Sequence, residues 1–233
     1  MKAHSMKILC IMHADFETPG AITTWAQTNN YDFTVIKPYA GDNCKSLTDF
    51  DMLILMGGPQ NATDHATIGY LADEITLLKQ AINNNKIVIG FCLGAQLIGE
   101  SLNAKTEKSP EKEVGVYPIF LNSETNNDPL LYDIPKTLAA IHWHNDMPGL
   151  TQNSQILAYS AGCPRQIIRY SDKIYGLQCH LEITKEGMET LIAACPQDLQ
   201  PSTFTQSQKE ILTQDYNIIN NTMFKLLERL INL

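Results

Sequence analysis

Up to Leu102 the chain alternates short unbroken apolar runs with amphipathic stretches. Runs at 7–12, 33–36, 51–56 and 87–90 read as strands covered on both faces, because a strand with one wet face alternates apolar and polar. Residues 21–28 predict a helix. So do residues 68–84, where Leu71, Ile75, Leu78 and Ile82 recur at helical spacing until Asn83-Asn84-Asn85 ends the pattern. Residues 38–48 read as a loop, and Ala95 to Leu102 as another helix. This β-α-β-loop-β-α-β-α order predicts a mainly parallel central sheet flanked by helices, a flavodoxin-like α/β fold. Ligands of such sheets bind at the carboxyl ends of the strands.

The pattern changes in the second half. Residues 114–121, 138–143, 155–159, 166–170 and 174–179 read as short strands with little helix between them. Ser171-Asp172-Lys173 reads as a hairpin turn. These strands predict a small antiparallel extension of the sheet. Residues 184–194 predict a short helix. A long C-terminal helix is expected over 206–232, with Ile211, Ile219, Met223, Leu226 and Leu230 on one face. No repeat or low-complexity linker divides the chain, so residues 1–233 read as one domain.

Composition narrows the function classes. Of 233 residues, 44% are hydrophobic, which supports a full core. A net charge of −8 argues against binding nucleic acid or an anionic membrane. No apolar run reaches membrane-spanning length, and the run at 8–12 is too short for a secretory signal. The expected location is cytoplasmic, and Met6 could serve as an alternative start. The six cysteines show no CxxC spacing and read as free thiols, neither a disulfide frame nor a zinc site.

The candidate chemistry centres on Lys86 to Gln96, KIVIGFCLGAQ. A buried strand, a tight glycine-flanked turn and a helix form a nucleophile elbow, with cysteine where hydrolases place serine. Gly90 and Gly94 permit a sharp turn and close packing. Cys92 stands at a helix N-terminus, where the dipole favours a thiolate. The N–H of Leu93 points at any oxyanion formed beside it. On this stretch alone, a small buried thiol is an equal reading. Gly57-Gly58-Pro59, after the third strand, reads as a plain turn or as a second oxyanion donor, chiefly Gly58.

A base and its orienter are available in His180-x-Glu182. Extended residues two apart face one side, although a direct Nδ1 bond requires the chain to bend there. His180 alone reads more readily as a hydrogen-bonded core or surface histidine. His142, His144 and Asp146 are rival bases. The two histidines face one way, as metal ligands do, but no third ligand completes a site by spacing, so a structural or substrate-facing loop is expected. His13 and His65 stand near the strand ends without an adjacent orienter.

Together GFCLGAQ, MGGPQN and QCHLE resemble the class I glutamine amidotransferases, the triad-type glutaminases. The likeness covers roughly residues 6–190, with His180 following Cys92 by 88 residues. Glu17-x-Pro19-Gly20, Glu113-x-Gly115 and the WHNDM segment resemble the stand-alone, GMP-synthase-like members. Two positions depart from the family: Leu181 replaces the usual proline, and Cys179 the usual aromatic. The resemblance implies Cys92 as nucleophile, His180 as base, Glu182 as orienter, and Gly58 and Leu93 as oxyanion donors. It further implies substrate contacts at Gln96 and Gly57, and no metal or organic cofactor. The implied substrate is glutamine or a γ-glutamyl conjugate, cleaved through a glutamyl thioester. The alternatives are a glutaminase subunit feeding ammonia to a separate synthase, and a non-catalytic binding protein on the same fold.

Overall fold

The computed structural model describes residues 5–45 and 47–233. Among them, β1 (Lys7–Ile11), β2 (Asp32–Ile36), β3 (Met52–Leu55) and β4 (Ile87–Phe91) belong to a ten-stranded sheet. Its other strands are β5 (Glu107–Leu121), β6 (Thr137–Met147), β7 (Gln155–Tyr159), β8 (Ile167–Ser171), β9 (Ile174–Leu177) and β10 (Phe204–Thr205). The helices are α1 (Ala21–Thr28), α2 (Gly69–Asn83), α3 (Leu93–Ser101), α4 (Lys185–Ala194), α5 (Gln208–Leu212) and α6 (Tyr216–Leu230).

Half of the sheet is parallel, in the order β2-β1-β3-β4-β9. From β9 it continues antiparallel through β8, β7 and β5 to β6, with β10 parallel against β5. The expected antiparallel extension is thus continuous with the parallel part. Strand period explains the unbroken apolar runs. Ile8, Cys10, Met52 and Ile54 pack on one face, with Ile22 and Trp25 of α1 and Met223 and Leu226 of α6. Leu9, Ile11, Leu53 and Leu55 pack on the other, with Leu71 and Leu78 of α2 and Leu97 of α3. Fully burying each such side chain contributes about 1.5–3 kcal/mol.

Several expectations are corrected. The C-terminal helix is two helices: Asp215 caps α6 by accepting from Asn217 N at 3.0 Å, and Ser207 with Glu210 forms a capping box on α5. The strand expected at 114–121 begins at Glu107, with a register shift between Lys108 and Glu113 around Pro110. Residues 142–146, expected as a loop, lie within β6, paired in register with β5.

One consequence positions the site. β3, β4 and β9 are neighbours and run the same way. The segments after them, bearing Gly57, Cys92 and His180, therefore meet at one edge of the sheet. Among the described residues no helix is long and apolar enough to cross a membrane.

Candidate active site

Cys92 follows β4 directly and forms the N-cap of α3 with φ 48° and ψ −107°. A non-glycine residue in that region is strained and needs its surroundings to hold it. Its N–H donates to Leu177 O at 2.8 Å, and its carbonyl accepts from Gln96 N at 3.1 Å. Close packing explains the flanking glycines: a Cβ on Gly90 would strike the backbone of Gly94, and one on Gly94 would strike Leu55. The thiol is left at the floor of a cleft of about 180 Å³, with its Sγ 3.8 Å from the carbonyl of Trp143.

His180 stands where the chain bends after β9. A two-way backbone bridge to Ile141 of β6 holds it, with His180 N donating to Ile141 O at 2.8 Å and His180 O accepting in return at 3.0 Å. Its Nδ1 lies 2.6 Å from Glu182 Oε1, and the Cys92 thiol is near enough to act on the ring electrostatically. Both His180 and Glu182 are 1% exposed. Burial pulls the imidazole pKa down, but the Glu182 charge and the Cys92 contact outweigh it and hold the ring well above the ordinary histidine value. The bend that two-residue spacing requires is therefore present, and the ring is bonded to the carboxylate with the thiol as an electrostatic neighbour.

Gly58 and Leu93 also line the cleft. Among the described residues, neither N–H donates to a protein acceptor. Both remain available to an oxyanion beside Cys92. Gly58 admits no side chain, since a Cβ there would crowd Leu93 Cδ2 at 2.9 Å. Gly57 is not a wall residue of the cleft; a Cβ on it would strike the Glu17 carboxylate and approach His180 Cε1 to 3.1 Å. Gln96, which could have been a helix-surface residue, is 5% exposed, lines the cleft and donates to Gln178 Oε1 at 3.0 Å.

The rival bases have other roles. His13 is buried against Glu74, Nε2 to Oε2 2.8 Å, and its Nδ1 lies 3.3 Å from Gly57 O, so it braces the Gly57-Gly58 turn from behind. His65 pairs with Glu100 at 3.4 Å, away from the cleft. His142 and His144 turn toward Glu113 of β5. That buried carboxylate accepts from Gln166 Nε2 at 2.7 Å, Ser160 Oγ at 2.8 Å and Gly162 N at 3.2 Å, and His144 Nε2 lies 3.1 Å from it. Burial alone would raise the Glu113 pKa; the two histidines reverse the effect and hold it well below the usual carboxylate range. Burial lowers the His144 pKa more than Glu113 raises it. Donor atoms of Glu113, His144 and Cys163 come within 4.8 Å of one another, a grouping that spacing along the chain did not reveal. Three hydrogen bonds already engage the carboxylate, and with them it braces β6, whose Trp143 and His144 line the cleft.

Sequence reasoning also passed over much of the cleft wall. Lys112 Nζ bonds Asp198 Oδ1 at 3.1 Å, and Trp143 Nε1 donates to Asp198 Oδ2 at 3.0 Å, drawing the segment after α4 across one side. No motif announces this, because the three residues meet only through the fold.

Comparison with known proteins places the chain in a family. The family described as glutamine amidotransferase class-I matches residues 20–194. The chain belongs to this family. A glutamine amidotransferase-like protein of Salmonella typhimurium, YfeJ, is 40% identical over 232 residues, covering 97% of each chain. One of the subunits of the glutamine-hydrolysing GMP synthase of Methanococcus aeolicus is 31% identical over 147 residues, covering 61% of this chain and 71% of that one. Among solved structures, the crystal structure of SMU.1228c superposes with a TM-score of 0.91 at 41% identity, covering 97% of this chain and all of the other. A glutamine amidotransferase from Thermotoga maritima, at 22% identity and a TM-score of 0.89 and covering 99% of this chain and all of that one, shares the fold.

Within this amidotransferase the two departures from the family pattern have physical accounts. Leu181 N donates to Glu182 Oε2 at 3.0 Å, a bond that proline could not make, so the substitution adds a hold on the carboxylate. Cys179 is fully buried, and its Sγ lies 3.8 Å from Gln166 O, so it fills core space on the sheet side. Two wall residues of the amidotransferase cleft, Cys195 and Asp198, lie beyond the residues that the family pattern matches.

Proposed function

We propose that the protein hydrolyses the γ-amide of glutamine or of a γ-glutamyl conjugate through a cysteine thioester. The observation that carries this reading is the buried His180–Glu182 pair, with the Cys92 thiol as its neighbour in a cleft also lined by Gly58 and Leu93, whose N–H groups have no internal acceptor among the described residues. His180 takes the thiol proton, and Cys92 sulfur attacks the γ-carbonyl carbon. The N–H groups of Gly58 and Leu93 receive the oxyanion; losing one such donor typically costs about 2.7–4 kcal/mol of barrier. The intermediate collapses as His180 returns the proton to the departing nitrogen, leaving a glutamyl thioester. Water, deprotonated by the same imidazole, then releases glutamate and restores the thiol. Glu182 holds the ring in the required tautomer and stabilises its charged form. Gln96 contacts the glutamyl portion from one turn into α3, and Gly57 keeps the substrate side of the turn free of a side chain.

Ammonia and glutamate release from L-glutamine and a panel of γ-glutamyl amides, measured on the purified chain, tests the reading. Turnover that disappears in Cys92→Ala supports it. Equal inactivity of the wild type and that variant on every compound would favour the non-catalytic alternative. A second reading is suggested by the similarity to one chain of a GMP synthase: a glutaminase that delivers ammonia to a separate synthase. Glutamine turnover that rises sharply on adding a cell extract, and copurifies with a second chain, would favour it.

A further inference from the structure

Glu17 occupies the turn after β1 and lines the cleft. Its carboxylate lies against Gly57, and so does His180 Cε1, which would stand 3.1 Å from a Cβ at that position. Carboxylate and imidazole therefore flank the same backbone position, Gly57, beside the stretch of cleft wall that Glu17 forms. The other carboxylates of the wall are engaged: Asp198 with Lys112 and Trp143, and Asp146 with Lys108 Nζ at 2.8 Å. The Glu17 side chain, by contrast, accepts no hydrogen bond and joins no ion pair among the described residues. Burial raises its pKa and the nearby His180 and His13 rings oppose that, so a carboxylate without a hydrogen-bond donor of its own stands at the cleft wall, able to act on what enters.

We propose that Glu17 is a specificity residue for the leaving group, favouring γ-glutamyl amides that release ammonia or an uncharged-chain alkylamine over those that release an amino acid. The inference rests on the hydrolytic reading above. When the tetrahedral intermediate collapses, the carbon–nitrogen bond breaks and its electron pair stays on nitrogen. That nitrogen takes the proton from His180, while the carbonyl re-forms as the thioester. Positive charge is thereby transferred toward the departing amine beside Gly57, which Glu17 and His180 flank. A carboxylate there stabilises the developing ammonium. A departing amino acid carries its own carboxylate one carbon from the same nitrogen. It brings like charge against Glu17 in a partly buried site, where little water screens the repulsion. A purely structural Glu17 would influence every substrate alike; a charge acting on the leaving group discriminates among them.

The test compares kcat/KM for L-glutamine, γ-glutamylethylamide and γ-glutamylglycine in the wild type, E17Q and E17D. The wild type should prefer the ethylamide to γ-glutamylglycine, and E17Q should reduce that preference by about tenfold or more. E17D, which keeps the charge, should retain most of it. A uniform slowing of all three substrates in E17Q, or an unchanged ratio, would overturn the proposal. So would a wild-type preference for γ-glutamylglycine, which needs no variant to be folded. Failure of the wild type on all three compounds would instead overturn the hydrolytic reading, and this inference with it.

Discussion

Cys92 and His180 are neighbours because two strands that are remote in sequence lie side by side, and each residue is held by backbone bonds independent of its chemistry. Cys92→Ala should therefore leave the fold intact and abolish turnover, with circular dichroism and steady-state kinetics as the paired measurements. Reagents that mimic glutamine with a chloroketone should label Cys92 alone among the six cysteines; the buried Cys10 and Cys179 have their thiol pKa values pushed up by burial. Glu182→Gln should be milder than loss of the nucleophile by roughly two orders of magnitude in kcat. It should also move a pH profile. Burial lowers the His180 pKa and the Glu182 charge raises it, so removing that charge lets the ring lose its proton at lower pH. The acid limb of kcat/KM, set by the ring having to be unprotonated before it takes the thiol proton, should shift downward in pH; an unmoved limb would mean that Glu182 is not the orienter.

At the scale of elements, the triad depends on helices that carry none of it. Ala21 N, at the start of α1, donates to Glu182 O at 2.9 Å. From α6, Asn220 Nδ2 donates to Leu181 O at 2.8 Å and to Ile183 O at 3.0 Å, bracketing the orienter on both sides. Asn220→Leu fills similar space but leaves both buried carbonyls unpaired. It should lower unfolding free energy by about 1–3 kcal/mol, read from urea melts. It should also reduce kcat more than KM, because the bend bearing His180 and Glu182 loosens while the cleft wall remains. The break between α5 and α6 belongs to the same design. Asp215 ends one direction and starts another, so that α6 can lie across the bend.

Across the whole molecule, the antiparallel half of the sheet buttresses the catalytic half through β6 and the Glu113 group. The charge states there make stability depend on pH. Glu113 has a folded pKa below its unfolded one, so its contribution is present above about 4.3 and is lost as pH falls through the folded value. His144 is also depressed, so it adds a loss that begins below about 6.5. His180 and His13 have raised values and act oppositely, contributing fully below about 6.5 and losing that contribution as pH rises through their folded values. Glu113→Ala, which leaves two buried histidines and Gln166 without their carboxylate partner, should cost about 3 kcal/mol at neutral pH. It should also flatten the loss of stability below the unfolded glutamate value, measured as urea midpoints at about pH 5 and about pH 3. A loss as steep as that of the wild type would place its origin elsewhere.

Strand identity in the first half follows from the chain alone. Runs such as those of β1 and β3 are apolar at every position because both faces are covered, and local composition carries that information. The elbow is equally local: Gly90, Cys92 and Gly94 lie within one turn, and the closeness that their backbones require is written in the missing side chains. The motif resemblance already groups Cys92, His180 and Glu182, which stand far apart along the chain. Other features were decided only in three dimensions. Glu113 meets His144, Ser160 and Gln166 through strand pairing, and Asp198 reaches Trp143 because the segment after α4 folds back; no spacing rule relates such positions. The C-terminal helix broke at Asp215 because capping and the geometry of the bend outweighed an apolar period that ran on past it. Periodicity reports which residues are to be buried, and chemistry near in sequence reports which turns can form. Which distant side chains flank one backbone position, as Glu17 and His180 do at Gly57, is settled by how the strand ends converge.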